Sequence, residues 1–360
     1  MSDAEPVSER LPTRRKLLRR LVFSLIPLVI FLWILRKVEL PLYPRQPALQ
    51  RVNMGLVGAY AGWFLVALLI RGIRWRWLVT AFSPMSLQLS LLLTSIGNAA
   101  IVLLPMRSGE VVRPLLAKRH GISPLAVLST VGAERIIDGI CVGLIVTVSL
   151  SMAPGHPQGL EILPPAFRDP SLVTRAARYA LVGFSCALAI IALFYVSASR
   201  MERLIALSLG RLSHTLALRV TQLLQGIASG LGFLRSGRAA AIYIALTAIY
   251  WLLQLASVHL LLHACGFANV RFLESCAITG VFALGFLLPS PPGFFGAFQT
   301  TFYAGLLLYF PVTQVTNEGS SVVFFAYAIQ LGVTLLLGLL CYWRELSLKL
   351  ERDNNPSHAR

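Results

Sequence analysis

The chain has 360 residues, of which 56% are hydrophobic and only 13% charged, and its formal net charge is +17. A water-facing surface needs roughly a quarter of its residues charged, so this composition excludes an ordinary soluble domain. The basic excess does not point to nucleic acid either, because Lys and Arg gather at the ends of apolar runs, where they face anionic headgroups and set topology.

The first element follows a basic tail, residues 1–20, that carries Arg10, Arg14, Arg15, Lys16, Arg19 and Arg20. The apolar run after it looks like the core of a signal peptide, but Arg36-Lys37-Val38-Glu39 follows with no small-x-small cleavage site. An uncleaved helix is therefore expected over 18–36. Full spans of about 20 apolar residues are expected next over 53–70, 125–152, 178–197, 239–263 and 321–343. A second tail, 344–360, closes the chain.

Two further apolar stretches, 85–119 and 272–310, are interrupted by Leu104-Pro105-Met106-Arg107-Ser108-Gly109 and Leu288-Pro289-Ser290-Pro291-Pro292-Gly293. Such breaks free backbone groups that hydrocarbon cannot satisfy, so they must lie within protein or line a wet cavity. Both stretches are expected to form broken or re-entrant hairpins, with Gly109 and Gly293 serving tight turns and the second tip exposing carbonyls. The predicted fold is an all-α polytopic membrane protein with six full spans and two such hairpins.

Counting Lys and Arg with the N-terminus inside gives 23 on the inner side and 8 on the outer. The positive-inside rule then puts both termini in the cytoplasm. In this topology residues 18–150 and 178–343 have the same order of elements in opposite orientation, an inverted repeat of the kind transporters use around a midplane site. The connector 199–238 alternates Leu and Ile with Arg and is expected to lie in the cytoplasmic interface. Arg71-Gly72-Ile73-Arg74-Trp75-Arg76-Trp77 is expected to be an interfacial anchor only, and Gly58 and Gly62 a small-residue packing face.

The informative region runs from Asn98 to Asp138. A charge in mid-helix costs roughly 2.5–3.5 kcal/mol even on lenient scales, so Arg107, Glu110, Arg113, Glu134, Arg135 and Asp138 should neutralise one another. Glu134 and Asp138 share a helical face at i, i+4. Arg135 reaches Asp138 at i, i+3, and Glu134 needs a cation from the hairpin, Arg107 or Arg113. Three carboxylates then balance three guanidiniums. The set either ties the hairpin to the next helix or lets an Arg release its carboxylate to grip a phosphate; proton coupling through a carboxylate is a third use. Asn98 caps or bonds the hairpin. His259 and His263 have metal-ligand spacing but no third ligand, and the five cysteines have no paired spacing, so no metal or cofactor is expected.

Taken in order, Gly97-Asn98, Leu104-Pro105-x-Arg107-x-Gly109-Glu110-x-x-Arg113, Glu134-Arg135-x-x-Asp138 and Leu288-Pro289-x-Pro291-x-Gly293-x-x-Gly296 resemble the lysylphosphatidylglycerol synthase transmembrane region, the flippase-like domain family. The resemblance implies lipid translocation, since in fused members this region flips aminoacylated phosphatidylglycerol, and relatives serve hopanoid or polyprenyl-linked glycolipid pathways. The aminoacyl-transferase domain is not expected here, nor lysine transfer from tRNA. One departure is Gln299, where the family often has Glu; this weakens any carboxylate role for the second hairpin. The expectation is a non-enzymatic lipid transporter of the bacterial inner membrane, handling a phospholipid or a polyprenyl or hopanoid lipid with an anionic or phosphate-bearing headgroup. Lipid-biosynthesis enzymes are candidate partners. The alternatives are a membrane-embedded transferase or a non-catalytic partner in lipid biosynthesis.

Overall fold

A computed structural model describes residues 29, 43–44, 46–155, 169–208, 213–230, 236–286 and 291–354. The expected basic tail 1–20 and most of the first helix, 18–36, lie outside the described residues, as do Pro289 and the C-terminal end of the tail 344–360. The described secondary structure is entirely helical. In chain order the α-helices are α1 Gln46–Leu49, α2 Met54–Val79, α3 Leu87–Leu103, α4 Val112–Lys118, α5 Pro124–Met152, α6 Pro170–Val196, α7 Ala198–Ser208, α8 His214–Gly230, α9 Gly237–Ala264, α10 Phe272–Gly285, α11 Ala297–Leu307 and α12 Val312–Asn354.

Polar caps fix where the long helices begin. The side chains of Asn53, Ser86, Ser123 and Ser236 accept backbone N–H bonds at the starts of α2, α3, α5 and α9. Among the described helices α2, α5, α9 and α12 are long and apolar enough to cross a membrane. A fifth span arises if α6 and α7, which meet at a bend of 116°, count as one. Helix α2 continues nine residues past the expected end of its span.

The two broken stretches differ from the spans in length. At 1.5 Å per residue, α3 is about 26 Å long, α10 about 21 Å, α11 about 17 Å and α4 about 11 Å, so none reaches the roughly 30 Å of a hydrocarbon core. The first break follows from sequence: Pro105 disfavours helical geometry at Leu104, which is extended. Met106 and Arg107 then turn in the left-handed region at φ 52° and 54°. The second tip turns at Gly293, φ 74°, and at Phe294, φ 56°.

Gly109 corrects its expected role. Its φ lies outside the left-handed region, and a Cβ there would sit 2.2 Å from the Ala100 carbonyl group, so glycine serves close approach of the two hairpin legs. At the second tip, where Pro289 lies outside the described residues, the Pro291 carbonyl accepts the Phe294 N–H at 3.0 Å.

Packing between the halves is reciprocal. Helices α2 and α9 lie against each other, α3 packs on α12, and α10 packs on α5. In lipid such contacts depend on close fit, since tails are as apolar as Leu. Glycine supplies it at both: a Cβ on Gly338 of α12 would meet Ala99 at 2.3 Å, and one on Gly280 of α10 would meet Val146 at 2.4 Å. The expected face at Gly58 and Gly62 is not used this way, since a Cβ on either would meet nothing within 4 Å among the described residues. Helix α8 packs on α5 and α6, and Ile205 of α7 and Ala228 of α8 are buried.

Candidate functional site

Helix α5 starts at Pro124, so Glu134 and Asp138 stand about 15 and 21 Å along it. Glu134 is fully buried and receives three arginines. Arg113 Nη1, from α4 of the first hairpin, donates to Oε2 at 3.1 Å, which is the cation the sequence called for. The other two come from α2: Arg71 Nε and Arg74 Nη2 each donate to Oε1 at 3.1 Å. Arg74 also grips Asp138 in a bidentate pair, Nη1 to Oδ1 at 2.7 Å and Nη2 to Oδ2 at 3.0 Å.

Two expectations are thereby corrected. Arg71 and Arg74 are not interfacial anchors; Arg74 has 0% exposure and joins two carboxylates of α5. Asp138 pairs with Arg74 rather than with Arg135. Of the two candidates on the hairpin, it is Arg113 and not Arg107 that reaches Glu134. The spacing of Arg71 and Arg74, i and i+3, put both on one face of α2, and that was the available signal.

Aromatic rings complete this inner shell. The Arg74 guanidinium lies 4.9 Å from the Tyr250 ring centroid and that of Arg113 lies 4.9 Å from Trp75. Trp75 Nε1 in turn donates to Thr130 at 3.1 Å. Arg76 faces away from the site and donates to the Met85 carbonyl at 2.8 Å.

A second group forms around the first hairpin tip. Glu110 Oε1 is shared by Arg107 Nη2 at 3.1 Å and Arg135 Nε at 3.6 Å. The latter is an ion-pair distance but too long for a good hydrogen bond. Arg107 Nη1 crosses to the other hairpin and donates to the Phe286 carbonyl at 2.6 Å, with its guanidinium 6.0 Å from the Phe294 ring. The two tips therefore meet. Counting both groups, five arginines face three carboxylates, so the expected neutral balance becomes an excess of two positive charges.

That excess borders a cavity of about 250 Å³ between the two breaks. Asn98, Arg107, Arg135, Asp138 and Gly293 line it, whereas Glu110, Arg113, Glu134, Pro291, Gly296 and Gln299 do not. Asn98 is buried, yet its Oδ1 has no hydrogen-bond partner among the described residues, so it neither caps nor bonds the described part of the hairpin through that oxygen. Gln299 is turned to its own helix, where Oε1 accepts the Gly296 N–H at 2.8 Å at the start of α11. Arg71, Gln254, Thr279, Gln330 and Thr334 add further polar groups to the wall, and Phe64, Val142, Phe184 and Phe282 are among its apolar residues. His259 bonds Ser275 at 2.8 Å and packs edge-on against His263, away from this cavity.

No curated protein and no solved structure matches the chain. Residues 17–344 match the family described as Lysylphosphatidylglycerol synthase TM region, so this chain belongs to that family of membrane proteins involved in lipid handling.

Proposed function

We propose that the protein is a flippase-like lipid transporter, carrying a phosphate-bearing amphipathic lipid across the bacterial inner membrane without chemically modifying it. The observation that carries this reading is the cavity at the meeting of two broken helices, lined both by an excess of guanidinium groups and by phenylalanine rings. A charged headgroup crossing bare hydrocarbon faces a prohibitive barrier. A polar cavity shields it while the tails stay in lipid.

The reciprocal packing of α3 on α12 and α10 on α5 supports an inverted repeat. With a first span over 18–36, the repeat comprises six spans and two re-entrant hairpins. Removing Arg71 and Arg74 from the inner loops leaves 21 basic residues inside against 8 outside, which still favours cytoplasmic termini. A transferase using Glu134 or Asp138 as acid or base is less well supported, because arginines occupy those carboxylates.

The test is reconstitution into liposomes containing a tail-labelled fluorescent phospholipid, with the outer leaflet bleached chemically. The protein should accelerate loss of the protected inner pool. No acceleration with phospholipids and with polyprenyl phosphates alike would overturn the proposal.

A further inference from the structure

The cavity wall is uneven in what it offers a ligand. Its charged residues are Arg71, Arg107, Arg135 and Asp138. Asp138 is the one carboxylate among them, and both its oxygens are taken by Arg74. Among the described residues, every carboxylate oxygen lining the cavity is thus already paired with a guanidinium, whose charge weakens any pull on an ammonium group. Two of the aromatic rings on the wall already have a guanidinium beside them, Arg74 over Tyr250 and Arg107 near Phe294, so a cation at either would meet a like charge.

Donors, by contrast, are in surplus. Arg107 Nε, Arg135 Nε and Arg135 Nη2 are buried with no hydrogen-bond acceptor among the described residues. A planar guanidinium in that condition matches phosphate oxygens well. Two neutral groups lining the same cavity are also unmatched among the described residues: Asn98 Oδ1, an acceptor, and Trp251 Nε1, a donor. An acceptor and a donor left over in one cavity suit a hydroxyl, which both donates and accepts.

We propose that the cavity selects a phosphodiester lipid with an anionic, hydroxyl-bearing headgroup, and discriminates against headgroups that carry an ammonium. The phosphate sits between Arg107 and Arg135, where it displaces Glu110, and the hydroxyl is read by Asn98 and Trp251. This rests on the cavity being a lipid-headgroup site but not on translocation. A protein that binds with this selectivity and fails to move lipid would refute transport alone.

The experiment is native mass spectrometry of the full chain in detergent, titrated with phosphatidylglycerol, phosphatidylmethanol, phosphatidylethanolamine, phosphatidylcholine and water-soluble glycerol phosphate. Phosphatidylglycerol should bind about tenfold more tightly than either ammonium-bearing lipid, and Arg107→Gln or Arg135→Gln should erase that margin. Phosphatidylmethanol has the same charge and no hydroxyl, so it should bind several-fold more weakly, and Asn98→Leu or Trp251→Phe should remove the difference. Glu110→Gln, which removes the internal competitor, should tighten phosphatidylglycerol binding, a result that misfolding cannot mimic. Equal binding of the ammonium-bearing lipids, weaker binding by Glu110→Gln, or equal binding of glycerol phosphate without its lipid tails would each overturn the proposal.

Discussion

The two charge groups on either side of α5 use the same residue types to opposite effect. Around Glu134 and Asp138, three arginines from two other segments each donate to a carboxylate, and the acceptor carboxylates are almost sealed from solvent. Around Glu110, two arginines share a single oxygen, and each side chain keeps about a quarter of its surface exposed. Breaking a buried pair leaves a lone charge in low dielectric, whereas a half-exposed pair can exchange partners at little cost. The first group therefore fixes α2, α4 and α5 together. The second is the half that a ligand can open.

Arg74→Met should have the largest effect, since it strands Asp138 and removes one of the three arginines on Glu134. A loss of about 3–5 kcal/mol is expected, read as a collapse of the thermal melting temperature in detergent. If the melting temperature barely moved, the fixed half would not be a structural anchor. Gly109→Ala comes next: the Cβ overlaps the Ala100 backbone, and parting the legs should cost about 1–3 kcal/mol. It should also disrupt the Arg107 contact with Phe286, visible as altered cross-linking between cysteines placed in the two tips.

Trp75→Phe keeps the ring but loses the Thr130 bond, and about 1 kcal/mol is expected. Arg135→Gln sharpens the contrast from the other side. Stability should change by no more than about 1 kcal/mol, as for partly exposed pairs, while lipid exchange in liposomes falls about tenfold. A large melting shift in that variant would show that the hairpin group is structural too.

Much of this arrangement was legible in the sequence. Proline and glycine marked both breaks, because no other residues so reliably interrupt an apolar run, and Arg113 was a natural partner for Glu134. Arg71 and Arg74 were lost because hydropathy ends a span at its first arginine. Their partners lie 60 to 64 residues away, so local spacing could not reveal them. Basic residues beside tryptophans at a helix end look the same whether they face headgroups or a buried carboxylate. Only the fold of α2 against α5 separates the two. The meeting of the tips was equally hidden, since Arg107 and Phe286 are 179 positions apart.

The seating of α3 against α12 has a consequence for how the molecule is made. Between Leu103 and Val312 lie 208 residues, all of which a ribosome must synthesise before the groove of the first hairpin receives its cover. During that interval a short, polar-tipped hairpin has no final neighbour, and an insertion factor or the translocon itself must shelter it. Biogenesis of this chain should thus be unusually sensitive to C-terminal truncation: losing α12 should expose the early half to membrane quality-control proteases.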